Sequence, residues 1–269
     1  QGFWVDKFHL EGWRKIKNCF QARPDDVLIA GYPKSGTTWL QEILSLHPNV
    51  GDFEPSPSDP LLFRNPWLEY PKGEDWYETL KPMPSSPRLI KTHLPLELLP
   101  KSFLSSKAKI IYVLRNPKDV AVSYYHFSRS HKDLPADPGT FEEFLEAFLN
   151  GKVLYGSYFD HVLGWWELRP EPQVLFLDYE DLKEDPAGEI KKIAEFLGLP
   201  LSEEELDKLL DHSSFFLMKL NPLSNYETLC LGKSKGRKSP FMRKGLVGDW
   251  KNYFTPEQNE KFDKVIKEK

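Results

Sequence analysis

Cysteine is close to absent from this 269-residue chain: Cys19 and Cys230 are the only two. Two thiols cannot form the disulfide framework of a small secreted domain. No Asn-x-Ser/Thr glycan acceptor occurs. No apolar run approaches the ~20 residues that span a bilayer, and the opening stretch QGFWVDKFHLEGW lacks the layout of a signal peptide. These absences point to a cytoplasmic protein in a reducing compartment, with no membrane partner. A large excess of one charge is missing too. The formal net charge is −4, so no basic field gathers nucleic acid, and no nucleic-acid partner is expected. Metal-ligand spacing is lacking as well. Apart from His93, the histidines His9, His47, His126, His131, His161 and His212 form no ligand pattern. Among them, His126 and His161 read as packing or surface residues. The chain shows no internal repeat and no low-complexity segment.

Aromatic residues, by contrast, are plentiful at 14%. They suffice to fill a core and still line a pocket for a flat ligand. One segment departs from the balanced charge: KSKGRKSPFMRK, residues 233–244, carries six basic residues and no acid. It reads either as a solvated loop or as a basic flap over a multiply charged small anion. The prolines of residues 48–87 forbid long helices there and predict loops with short pieces of structure, able to form a wall of a site.

Four short, continuously apolar runs read as buried parallel strands: VLIA (27–30), RLI (88–90), KIIYVL (109–114) and QVLFL (173–177). Helical patterns alternate with them. TTWLQEILSL follows the first run and DVAVSYYHF the third. TFEEFLEAFLNG has Thr140 as N-cap, Glu143 as its capping-box partner and Asn150-Gly151 as its stop. EIKKIAEFLG (189–198) and SEEELDKLL (202–210) are amphipathic. The alternation predicts an α/β fold with a central parallel sheet and helices on both faces.

Each predicted strand runs into residues able to do chemistry. The first enters GYPKSGTTW. Gly31 and Gly36 stand with four residues between them, and Thr37 and Thr38 follow. Such a loop, opening a helix, suits a phosphate-like anion. A triphosphate loop would carry lysine directly after the second glycine; here it is Lys34, inside the loop. No acidic pair for magnesium is evident at a neighbouring strand end. The second strand enters Lys91-Thr92-His93, the third reaches Arg115 with Ser123 eight residues on, and the fourth reaches Tyr179. Ligands of open α/β sheets bind at the carboxyl ends of the strands, so these four segments are expected to share one crevice. His93 beside lysines would have a lowered proton affinity, as suits a general base near neutral pH. Arg115, Ser123, Arg243, Lys244 and Gly245 would suit a second phosphate. Trp39 reads equally as a stacking surface for a base or as helix packing.

At this point the chain resembles the cytosolic sulfotransferases. The likeness runs through FQARPDDVLIAGYPKSGTTW, LIKTHLP, YVLRNPKDVAVSYYHF, FLDYEDLKEDP and SPFMRKGLVGDWKNYFTPEQNE, in this order. It implies one sulfotransferase domain over residues 1–269, with 3′-phosphoadenosine 5′-phosphosulfate (PAPS) as donor, PAP as product and no metal. Lys34, Ser35, Gly36, Thr37 and Thr38 match the family's 5′-phosphosulfate loop. Arg115, Ser123, Arg243, Lys244 and Gly245 match its 3′-phosphate site, beside Phe241 and Met242. Trp39, Tyr179, Ser213 and Phe215 match positions around the adenine; at position 213 the family often has Thr. His93 matches the catalytic base, with Lys34 and Lys91 beside the transferring group and Ser123 restraining Lys34.

The acceptor side follows the family less closely. Trp67 and Tyr70 stand where two phenylalanines are common. Phe127, Tyr155 and His131 also fall at pocket positions, and Lys91 and His93 would face the acceptor. Such an aromatic gate favours a small lipophilic hydroxyl acceptor: a phenol first, a steroid alcohol as the alternative. No acidic residue reads as placed to hold an amine. The family's dimer motif is kept at Lys251, Thr255 and Glu260, but Pro256 replaces its valine. The segment Lys251–Glu260 therefore reads either as a homodimer contact or as a helix start capped by Thr255, with Pro256 first and Gln258 closing the box. Two other classes stay open: a nucleotide kinase, which would need magnesium and prefer ATP, and an inactive homologue, which would bind PAP and transfer nothing.

Overall fold

The computed structural model describes residues 7–47, 59–70, 87–129, 138–226 and 241–269. Among them four strands, β1 (Val27–Ala30), β2 (Leu89–Thr92), β3 (Lys109–Leu114) and β4 (Val174–Asp178), form one parallel sheet in the order β2-β1-β3-β4. The helices are α1 (Lys7–Ile16), α2 (Thr37–Leu46), α3 (Leu61–Arg64), α4 (Ser102–Ser105), α5 (Pro117–Ser128), α6 (Phe141–Leu149), α7 (Tyr158–Trp166), α8 (Tyr179–Glu184), α9 (Pro186–Leu197), α10 (Glu203–His212), α11 (Phe215–Leu220) and α12 (Pro256–Glu268). None is long and apolar enough to cross a membrane.

The strands are apolar on both sides because both sides are covered. Val27, Ile29, Leu89, Ile111 and Val113 pack with Leu40 and Leu44 of α2 and Ile193 of α9. Leu28, Ala30, Ile90, Ile110 and Tyr112 point the other way, into a core with Ile16, Leu61, Phe103 and Trp165. Each such aliphatic side chain stabilises the fold by about 1.5–3 kcal/mol through burial. A third core joins Tyr32, Tyr124, Phe144, Phe148, Tyr158 and Phe262, bringing α5, α6, α7 and α12 together.

The amino ends of β1 and β2 are fixed by a buried ion pair. Asp26 accepts from Arg88 Nε at 2.7 Å, while Val27 N donates to Arg88 O. All four strands are parallel, so their carboxyl ends open together on the opposite edge, where the candidate residues lie.

The predicted β1, β3 and α2 have the observed bounds. β2 begins one residue later than expected and extends through Lys91 and Thr92, both buried. β4 is also shifted by one residue. The structure adds α1, α4, α7, α8 and α11, for which no helix was expected. Thr140, Ser202 and Thr255 each make a full capping box.

Candidate active site

The loop after β1 turns sharply. Lys34 has φ 73° and Gly36 φ 113°, both left-handed, and α2 starts at Thr37. The positive end of that helix and its first-turn N–H groups therefore lie at the loop. Gly36 is required twice over: besides its φ, a Cβ there would lie 2.6 Å from Cδ2 of Tyr179. Ser35 is buried, and its Oγ has no partner. Thr37 is buried, and Thr38 hydrogen-bonds the Tyr226 hydroxyl. Trp39 packs edge-on to Tyr179 at 5.7 Å, under Lys183 at 5.3 Å; its Nε1 has no partner.

Cations from four segments converge here. Arg115 donates from Nη1 to the Lys34 carbonyl at 3.0 Å and from Nη2 to the Leu246 carbonyl at 3.2 Å. Its plane lies 4.2 Å from the Tyr179 ring centre, and its buried Nε has no partner. The Lys34 ammonium rests on the rings of Phe241 (4.1 Å) and Phe127 (4.7 Å). Burial, then Lys91, Arg115 and Arg243, lower its pKa to about 7. Lys91 sits over Trp67 at 4.6 Å; burial lowers its pKa to about 8, against the opposing pull of Glu69.

His93 is 5% exposed, and its Nδ1 lies 2.6 Å from the Gly31 carbonyl. A carbonyl only accepts, so Nδ1 carries the hydrogen. Nε2 is then the basic nitrogen of the neutral ring. The backbone N–H of His93 donates to Glu69 Oε1 at 2.7 Å, and its carbonyl accepts from His161 Nε2 at 3.0 Å. His161, expected as packing or surface, is a fully buried hydrogen-bonding residue.

The C-terminal basic residues reach the same edge. Arg243 and Lys244 both donate to Asp249, at 2.6 and 2.7 Å, and hold its carboxyl down at about 2 despite the opposing effect of burial. Asp119 fixes this segment by accepting from Gly248 N and Trp250 N at 2.7 and 2.9 Å. Gly245 has φ 65°, and a Cβ there would meet the Phe215 ring at 2.3 Å. The Ser213 hydroxyl donates to the Leu209 carbonyl at 2.6 Å. Ser123 on α5 and Met242 are half-buried.

On the acceptor side Trp67 is the hub. It stacks on Tyr70 at 5.3 Å and meets His93 edge-on at 5.3 Å. Tyr155, at φ 68°, stands 5.6 Å from the His93 ring, and its hydroxyl donates to Glu69 at 3.3 Å. Phe127 lies against Lys34 rather than in this ring. His131 and the basic residues Lys233, Lys235, Arg237 and Lys238 lie outside the described residues. An acid does stand near the pocket after all: Glu69, fully buried, is engaged by Thr92 and by the His93 backbone. Glu69, Asp249 and His161 are the residues that reading the sequence missed. Among the described residues no cluster of three or more His, Cys, Asp or Glu could hold a metal ion.

The family model for the sulfotransferase domain matches residues 24–269. The chain is 54% identical to mouse sulfotransferase 1B1 over 96% of its length and 86% of that protein's. It is 48% identical to human sulfotransferase 1C2, over 97% and 88% of the two lengths. A mouse sulfotransferase solved in complex with PAP superposes with a TM-score of 0.84 at 39% identity, covering 100% of this chain and 93% of that one. A retinol dehydratase solved with androsterone and the inactive cofactor PAP gives 0.84 at 33% identity, covering 99% and 86%. The chain belongs to the sulfotransferase family and is an enzyme of that class.

Proposed function

We propose that this enzyme transfers the sulfuryl group of PAPS to the hydroxyl of a small lipophilic acceptor, a phenol in the first instance, with His93 as general base. One observation carries the reading: a left-handed glycine loop bearing Lys34 and a tautomer-fixed His93 share the strand edge on which Lys91, Arg115 and Arg243 gather. The chain's residues fit the donor. Burial lowers the pKa of both lysines, and around Lys34 the neighbouring cations Lys91, Arg115 and Arg243 add to it, as suits a site that takes an anion. The unpartnered Ser35 Oγ and Arg115 Nε offer donors, and Gly36 and Gly245 let the backbone come close to the Tyr179 and Phe215 rings. PAP bound in the two structural neighbours supports the same donor.

The donor supplies the sulfuryl group and departs as PAP. Each remaining task falls to the protein. The loop N–H groups, Lys34, Ser35, Thr37 and Thr38 hold the 5′ end, and Arg115, Ser123, Arg243, Lys244 and Gly245 hold the 3′-phosphate, with Phe241 and Met242 alongside. Trp39, Tyr179, Ser213 and Phe215 surround the adenine. His93 Nε2 removes the acceptor's proton. Lys34 donates to the oxygen on which charge grows, and Lys91 stands beside it. A sulfuryl group carries less negative charge than a phosphoryl group, so lysines and backbone donors suffice where phosphoryl transfer recruits magnesium.

The stacked Trp67–Tyr70 pair, with Tyr155, favours flat ring-bearing acceptors, and His131 is the further residue assigned to the acceptor side. Androsterone in a neighbour keeps steroid alcohols as the second reading. Residues 1–269 form one such domain, and the exposed Lys251, Thr255 and Glu260 supply a homodimer contact.

Three experiments test this. Calorimetry without metal should show PAP binding more tightly than ADP; equal or weaker PAP binding overturns the donor. His93→Ala should bind PAP and lose turnover, while near-parental turnover overturns the base. A panel of phenols, steroids and amines sorts the acceptor, and a preference for amines would refute the phenol reading.

A further inference from the structure

β2 ends at Thr92, the last residue of the strand paired with β1. His93 lies one step beyond the sheet. Its buried backbone groups, and those of Leu94, must find partners elsewhere. The N–H groups find them nearby: His93 N on Glu69 at 2.7 Å, Leu94 N on Thr92 Oγ1 at 3.0 Å. The carbonyls find them on α7. His161 Nε2 lies 3.0 Å from the His93 carbonyl, and Trp165 Nε1 donates to the Leu94 carbonyl at 3.1 Å. Residues four apart on a helix share a face. One face of α7 thus presents two ring N–H donors to two successive carbonyls.

The far side of the His161 ring is fixed as well. Its Nδ1 lies 2.8 Å from the Tyr112 hydroxyl on β3. The His93 carbonyl can only accept, so Nε2 carries the hydrogen. Nδ1 is then the acceptor, and Tyr112 is its donor. All three side chains, His161, Trp165 and Tyr112, are at most 2% exposed. Burial lowers the His161 pKa to about 4, so the ring is neutral wherever the enzyme would work. Its task is holding a peptide group, not moving a proton.

We infer that α7 braces the catalytic histidine, with His161 and Trp165 as positioning residues that set where the His93 imidazole stands. The inference rests on the reading of His93 as the base. His93 lies past the last paired residue of β2, and its carbonyl is held from α7 while its ring is hydrogen-bonded through Nδ1 to Gly31. Loss of the brace lets the peptide at 93 tilt, and a misplacement of about 1 Å costs about 100-fold in rate. The side chains of the nucleotide grip come from the loop and the C-terminal segment; His161 meets the loop edge-on at the Tyr32 ring, 5.5 Å away, a contact that a Phe ring at 161 keeps.

The experiment compares His161→Phe, Trp165→Phe and His161→Gln with the parent chain. PAPS-dependent turnover is measured with one phenol, PAP affinity by calorimetry, and folding by thermal melt. Each Phe variant keeps a ring and removes one donor, so one of them serves if the other fails to fold. Either should lower kcat by more than about five-fold, with acceptor KM and PAP affinity within about two-fold of the parent. His161→Gln, which retains a donor and an acceptor, should recover most of the loss. A folded Phe variant with a smaller fall in kcat overturns the inference, as does a parallel fall in PAP affinity. A parent that transfers nothing overturns the reading of the site itself. A normal parent beside unaffected variants overturns only the brace.

Discussion

The Arg115 guanidinium donates to the backbone carbonyl of Lys34 at 3.0 Å, so the residue proposed for the 3′-phosphate also holds the turn of the 5′ loop. A second arm reaches the Leu246 carbonyl at 3.2 Å. Arg115→Lys keeps the charge but loses the fork. PAP affinity measured by calorimetry should fall by about ten-fold or more. Unchanged affinity in the lysine variant would mean that charge alone suffices.

PAP binding should take up protons. Lys34 and Lys91 titrate near 7 and 8 in the free enzyme. An anion favours their protonated forms and raises both values. The complex then holds more protons than its separate parts between about pH 7 and 9, so affinity falls as pH rises through that window. Calorimetry in buffers of different ionisation enthalpy reads the uptake directly. Lys34→Met should reduce it, and equal uptake in that variant would remove Lys34 from the account.

Asp249 aligns Arg243 and Lys244 before any ligand arrives. Asp249→Asn keeps the shape and removes the charge. PAP affinity should fall several-fold although the site becomes more positive, because two long side chains lose their anchor. A rise in affinity would instead make Asp249 a competitor of the 3′-phosphate. The folded carboxyl titrates near 2, below the unfolded value of about 3.9. Its stabilisation is therefore present above about pH 4 and is lost as pH falls toward 2. Parent and variant melts should converge over that range.

Gly36→Ala tests the turn. The φ of 113° and the 2.6 Å approach of Tyr179 both oppose a methyl group. Strain of about 1–3 kcal/mol should lower the melting temperature and weaken PAP binding. In Gly36→Ala/Tyr179→Ala the clash is gone and the backbone strain stays. Full recovery in the double variant would assign the whole cost to the ring.

The sequence showed the strand-to-loop architecture because β1 is apolar throughout, β3 is apolar after Lys109, and α2 begins on a glycine turn. It misplaced the end of β2 because Lys91 and Thr92 are polar yet buried; an apolar criterion fails where a site sits inside a strand. Glu69 and His161 went unread for a different reason. Each acts on residue 93 across a wide gap in the chain, 24 and 68 positions, through single hydrogen bonds that leave no periodic trace. Signals were present: an acid inside the apolar stretch PWLEY, and a histidine four residues before a tryptophan in HVLGWW. Asp249 stands outside the basic run 233–244, so the search for cations passed it by.

The strand order β2-β1-β3-β4 puts β1, the earliest in sequence of the four described strands, in the interior of the sheet. Both of its neighbours come from much later in the chain, at 89–92 and 109–114. VLIA therefore leaves the exit tunnel with two bare edges; one stays bare until Thr92 has been synthesised and the other until Leu114. Fragments that stop before that residue should gather into insoluble material, and the nascent enzyme is most exposed to chaperone capture over the same interval.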